Sequence, residues 1–161
     1  MAKEAARSFA ALADMAPGTP LGVSGWHTVS QQDIDAFARL TKDEDPFHID
    51  PDFARANSPL GTTIAFGFQT LSMLTHFSHQ VFDALGLRAD AGTQLFNFGF
   101  DQVRMPEPVP AGSRIRGHFT FAGARVRPAG GLEIRVDAVV EIDGRQKPAI
   151  AAEWLFVVVD G

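Results

Sequence analysis

Residues 42–74, KDEDPFHIDPDFARANSPLGTTIAFGFQTLSML, join an acid-and-histidine loop to a long apolar run. Pro46 forces Asp45 out of the helical region, so residues 42–49 read as an irregular turn in which Asp45 is a solvated acid. Asp50 followed by Pro51 is an N-cap and first-turn pair. It starts a short helix to about Asn57, which Ser58-Pro59-Leu60-Gly61 breaks. From about residue 66 to 85 the apolar positions lie almost all round: Phe68, Leu71, Met73, Leu74, Phe77, Val81, Phe82 and Leu85. Such a helix is buried on most sides. Gly67 opens it.

The flanks supply what would bury it. Residues 96–105, 114–126, 132–142 and 149–159 read as strands by alternation and by β-branched and aromatic content. Pro106, Pro108 and Pro110, then Pro128-Ala129-Gly130-Gly131, then Asp143-Gly144, mark the turns between them, and the last is a hairpin signal. Consecutive strands joined this way predict an antiparallel meander. On the N-terminal side, residues 3–15 have helical spacing and predict a weakly packed helix, stopped by Pro17-Gly18-Thr19-Pro20. Residues 21–29 predict a strand, with Val23 and Trp26 its bulky members. Ser30 is an N-cap with Asp33 in the capping-box position, and Ile34, Phe37, Ala38 and Thr41 share a face of the helix that follows. One buried helix and four to five long antiparallel strands give an α+β fold in which the sheet curls round the helix. Long edge strands in such a sheet are most simply covered by a second copy, so a homodimer is expected.

At 161 residues the chain reads as one domain, 1–161, with residues 1–19 as an N-terminal helix or arm. A hydrophobic fraction of 45%, with 14 Phe, supports a substantial core, and 20% charged residues argue against disorder. The net charge of −5 and the scatter of basic residues argue against nucleic acid as a partner. The absence of cysteine removes disulfides, thiolate nucleophiles and Cys-ligated zinc together. The start, MAKEAARSFAALADM, has no continuous apolar core of signal-peptide length, and no stretch approaches the ~18 unbroken apolar residues that span a bilayer. A cytoplasmic protein without membrane segments is expected.

His76 and His79, three apart on the apolar helix, lack any further ligand pattern, so no metal is expected. His27 and His118 fall in strands and read as surface or dimer-contact residues. Arg104, with Arg114 and Arg116, are the candidates to meet phosphate groups of a ligand.

Three stretches, DEDPFHIDPDFA (43–54), SPLGTTIAFGFQTLSML (58–74) and NFGFDQVRMPEPVPAGSRIR (97–116), are similar to the MaoC-like dehydratases, which include the (R)-specific enoyl-CoA hydratases. They look closest to the nodulation-protein-N-like branch, and the likeness covers roughly residues 20–160. The resemblance implies a hot-dog fold working as a dimer on CoA or carrier-protein thioesters. It implies that Asp43 and His48 handle the water, and that Gly67, before the central helix, binds the thioester carbonyl. Phe66, Phe68, Leu71, Ser72 and Arg104 are then the candidate substrate contacts, and no cofactor is required. The chain departs from the family pattern at Lys42, where Gly is frequent, at Asp45, where Asn is, and at Phe66, where His is.

The chemistry needs those residue types. Adding water to an α,β-unsaturated thioester requires a base for the water, an acid for C2 and a donor for the enolate oxygen. A neutral imidazole takes the proton, a carboxylate orients the water, and a glycine at a helix start offers an unpaired N–H with the positive end of the helix dipole. Two other activities suit the same fold: thioester hydrolysis through a carboxylate, and non-catalytic binding of acyl thioesters. The close Asp43–His48 spacing favours hydration.

Overall fold

A computed structural model describes residues 7–88 and 93–160. The described chain opens with a two-residue strand, β1 (Arg7–Ser8), and two turns of 3-10 helix over Phe9–Asp14. Phe9 and Leu12 are buried in the main core, so this segment is firmly packed rather than loosely attached. The tighter 3-10 winding aligns residues three apart, which puts both apolar side chains on one line. The part of the expected N-terminal helix before residue 7 lies outside the described residues.

The expected strand over residues 21–29 is divided into β2 (Pro20–Val23) and β3 (His27–Thr28). Ser24 sits in the break, where its hydroxyl accepts from the Gly117 N–H at 2.9 Å while its own N–H donates to the Gly117 carbonyl at 2.9 Å. Next come α1 (Gln31–Thr41), α2 (Pro46–Ile49), α3 (Pro51–Asn57) and the long α4 (Gly67–Ala84). A short β4 (Leu87–Arg88) pairs in parallel with β1. The remaining strands are β5 (Thr93–Arg104), β6 (Arg114–Val126), β7 (Leu132–Ile142) and β8 (Ile150–Asp160).

The main sheet has six strands in the order β2-β6-β7-β8-β5, with β3 also on β6, and every pairing in it is antiparallel. The meander therefore holds only for β6, β7 and β8. β5 precedes them in sequence but crosses to the far edge beside β8, so the Pro-rich stretch after it spans the sheet instead of closing a hairpin. Gly144, at φ +71°, makes the β7–β8 turn that Asp143-Gly144 signals.

The alternation along β7 sends Ile134, Val136, Ala138, Val140 and Ile142 inward. They meet Leu74, Phe77, Val81 and Phe82 of α4 in one continuous core, the α+β arrangement expected of a sheet curled on a helix. Gly117 on β6 makes the close approach possible: a Cβ there would sit 2.7 Å from Phe77 Cβ and 2.8 Å from the Phe119 ring. α4 is less enclosed than its apolar pattern predicts. Its opposite side leaves Phe68 at 73% exposure, with Ser72, Thr75, His76 and His79 also exposed, because the sheet covers a single face.

Candidate active site

α1 is secured at its start by the expected capping box. The Ser30 hydroxyl accepts from the Asp33 N–H at 3.2 Å, and the Asp33 carboxylate accepts from the Ser30 N–H at 3.0 Å. The Ser30 hydroxyl also donates to the Asp33 carboxylate at 2.7 Å, and this bond, followed by the one from the Ser30 N–H, holds the Asp33 carboxyl below its ordinary value of 3.8. The helix ends at Lys42, which adopts the left-handed conformation at φ 60°, ψ 30°. That is the conformation glycine favours at this point of a helix.

Beyond Lys42 the chain is a second short helix rather than an irregular turn. Asp45 is extended, as the following proline demands, and its carboxylate accepts from the Phe47 N–H at 2.9 Å. Asp45 with Pro46 is thus an N-cap pair, a repeat of Asp50 with Pro51 five residues later. Asp50 caps as its sequence context predicts, its Oδ1 accepting from the N–H groups of Asp52 and Phe53. Asn in place of Asp45 would cap equally well, so this departure leaves the loop geometry intact.

The consequence of α2 is the placement of His48 in its last turn. The ring Nδ1 lies 2.7 Å from the Ile64 carbonyl oxygen, which can only accept, so this nitrogen donates, and in the neutral ring the lone pair is on Nε2. The ring is stacked on Phe66, with centroids 3.8 Å apart and planes 29° from parallel. Phe66 packs in turn on Phe37 of α1 at 5.3 Å. Phe66 therefore supports His48. A further brace comes from Gln31, whose side-chain amide donates to the His48 carbonyl at 2.8 Å and whose oxygen accepts from the Thr63 hydroxyl.

Phe66 is the N-cap of α4 and makes no side-chain cap, so the N–H of Gly67 belongs to a first turn whose donors have no intrahelical partner. A Cβ on Gly67 would collide with Met105 Sδ. The space that glycine keeps open beside the helix start is thus occupied by a flexible thioether from the end of β5.

His48 and Gly67 come together in the wall of a cavity of about 200 Å³, with Thr70, Met105, Glu107 and Val109. Asp43 does not line it. That residue is exposed on the preceding loop, where its carboxylate accepts from the Asp45 N–H at 3.4 Å. Phe68, Leu71, Ser72 and Arg104 also lie outside the cavity wall; Ser72 donates to the Gln69 carbonyl and Arg104 to the Val103 carbonyl. Arg114 and Arg116 are on the outer face of the sheet, paired with Asp143 and Glu141 and placed over the Trp26 ring. His118 shares the Glu141 carboxylate there at 2.6 Å, while the His27 and His76 rings stand edge to face at 5.8 Å.

Glu107, Thr70 and Met105 were not singled out by the sequence. Thr70 was discoverable, three residues after Gly67 on the same helical face. Glu107 and Met105 reach the site only because the segment after β5 folds back, where Ala65 N–H donates to the Val109 carbonyl at 2.8 Å and Ile64 bridges to Pro110. A larger cavity of about 520 Å³ lies farther along α4, lined by Ser78, His79, Phe82, Asn97 and Trp154. No cluster of three or more potential metal ligands occurs among the described residues.

Comparison with known proteins gives the same answer from an independent direction. Residues 12–141 match the MaoC like domain. The chain is 38% identical over 149 residues to 3-hydroxyacyl-thioester dehydratase Z of Mycobacterium tuberculosis, covering 91% of this chain and 95% of that one. It is 38% identical over 141 residues to Nodulation protein N of Rhizobium leguminosarum bv. viciae, covering 88% and 85% respectively. Among solved structures, the (R)-hydratase from A. caviae involved in PHA biosynthesis superposes with a TM-score of 0.65 at 18% identity, covering 88% of this chain and 96% of that one. A protein of Archaeoglobus described as a monoamine oxidase regulatory protein does so at 0.74 and 22%, covering 96% and 97%. The fold is the hot-dog fold, and the chain belongs to the MaoC-like dehydratase family.

Proposed function

We propose that the protein interconverts trans-2-enoyl and (R)-3-hydroxyacyl thioesters, carried on CoA or an acyl carrier protein, by adding or removing water. The observation that carries this is the pairing, in one cavity wall, of a histidine held in a single tautomer with a glycine at an uncapped helix start. In the hydration direction His48 Nε2 takes a proton from water as the oxygen bonds to C3. Asp43, exposed on the adjoining loop and outside the cavity wall, is assigned the orienting of that water on the family resemblance. The electron pair of the double bond moves toward the thioester oxygen, where the Gly67 N–H and the helix dipole stabilise the charge. Return of the proton to C2 completes the addition, so no cofactor is consumed. Phe68, Leu71 and Ser72, near the same helix start, and Arg104, beside Met105, are assigned to the approach of the acyl and carrier portions.

Following the enoyl absorbance of crotonyl-CoA, together with free thiol, tests the reading. Wild type is expected to consume the double bond without releasing thiol; thiol release would mark a thioesterase, and neither change a binding protein. Asp43→Asn and His48→Gln are each expected to lower the hydration rate by about 10²–10⁴. A loss within about threefold for both would overturn the assignment.

A homodimer is part of the same proposal. β5 forms an edge of the main sheet over twelve residues, with Phe96 and Phe98 half exposed on it. No helix among the described residues is long and apolar enough to cross a membrane, consistent with a cytoplasmic enzyme.

A further inference from the structure

The cavity at His48 and Gly67 is too small for a whole CoA thioester, since drug-sized ligands alone occupy about 300–1,000 Å³. It admits the thioester end and leaves the phosphates of the carrier outside, along the rim. With a net charge of −5, the protein repels such an anion unless the rim supplies local positive charge. Arg55, Arg114, Arg116, Arg125 and Arg135 are each paired with an acid away from the cavity, while Arg104, beside Met105, donates to the Val103 carbonyl and keeps the role given it above.

The β7–β8 turn is different. Ala149, at its end, lines the cavity, and the residues just before it, Arg145, Gln146, Lys147 and Pro148, line a separate open groove of about 400 Å³. The two spaces share this turn as a wall. Arg145 is joined to the cavity directly, its Nη1 3.2 Å from an oxygen of Glu107, which stands in the cavity wall at 22% side-chain exposure. Lys147 is exposed and makes no ion pair among the described residues. The acid in the groove, Glu141, is already bonded to Arg116 and His118 at 2.6 Å each.

We propose that Arg145 and Lys147 form the phosphate-binding rim of the thioester site, with Glu107 as the positioning residue that holds Arg145 at the cavity mouth. This rests on the acyl-thioester reading above. The guanidinium, held at one nitrogen by Glu107, offers its remaining N–H groups to phosphate oxygens, and the ammonium adds a mobile point charge. The phosphate is the one on pantetheine, shared by CoA and carrier proteins, or those of the CoA nucleotide.

Binding, rather than turnover, separates this from the catalytic assignment. Calorimetry with butyryl-pantetheine, butyryl-4′-phosphopantetheine and butyryl-CoA gives the affinity of each carrier portion for wild type and for the Arg145→Ala/Lys147→Ala variant. Wild type is expected to bind butyryl-CoA at least tenfold more tightly than butyryl-pantetheine, and the variant to lose most of that margin. A margin already complete with the phosphopantetheine thioester assigns the rim to the shared phosphate; one that needs CoA assigns it to the nucleotide. Glu107→Gln is expected to lose part of the margin and Arg145→Lys to keep part of it. Equal wild-type affinity for pantetheine and CoA thioesters, or a margin that survives in the double variant, overturns the proposal. Tight butyryl-CoA binding by a wild type that hydrates no crotonyl-CoA would retire the hydratase reading and leave this one standing.

Discussion

Lys42 shows how a single backbone angle shapes the site. A residue with a Cβ in the left-handed region costs roughly 1–2 kcal/mol relative to an unstrained one, yet here it turns the chain from α1 into the loop that carries Asp43. Lys42→Gly is expected to raise the free energy of unfolding by about 1 kcal/mol, read from the urea midpoint at constant slope. Asp43, His48 and Gly67 were singled out through the resemblance to the MaoC-like dehydratases rather than by local signals, and the structure places His48 and Gly67 in one cavity wall with Asp43 outside it. Phe66 was visible too, but its service as a platform for the His48 ring was not, since stacking depends on how α2 meets the start of α4. Glu107 and Met105 were illegible for a stronger reason. Nothing local distinguishes them, and they become site residues only through the return of the chain after β5.

At the scale of elements, the caps were the most readable features. Ser30 with Asp33 and Asp50 with Pro51 use side chains two or three residues from their partners, so their geometry is decided locally. Asp45 with Pro46 obeys the same chemistry, but a helix of only four residues leaves no periodic pattern to announce it. Loss of the Ser30 hydroxyl in Ser30→Ala is expected to cost about 1 kcal/mol of stability. The Asp33 carboxyl adds a pH dependence. Because the folded state holds it below 3.8, its contribution is present above that pH and is lost as the pH falls through the depressed value. The stability difference between wild type and Asp33→Asn, from urea curves at pH 6 and at about pH 3, is expected to shrink at the lower pH. The position of β5 was beyond local reading: alternation identifies a strand but says nothing about which neighbour it takes, and here it pairs with the last strand rather than the next.

For the molecule as a whole, the sequence made the buried helix and its curled sheet plain, because both rest on hydrophobic periodicity summed over many residues. It overstated the enclosure of α4. The sheet covers one side of α4, and the far side carries Ser72, Thr75, His76 and His79 around the exposed Phe68, so the apolar positions do not run all the way round. The edge of β5 has the same character, with unpaired backbone groups and two half-exposed phenylalanines along it. If a second copy supplies the missing cover, folding and association are linked by mass action, and the chain has no fixed melting temperature of its own. Its thermal midpoint is expected to climb with protein concentration across the micromolar range in calorimetry, and Phe98→Lys to lower and flatten that dependence. Dilution then acts on this protein as a denaturant does, by withdrawing the surface against which the β5 edge is stable.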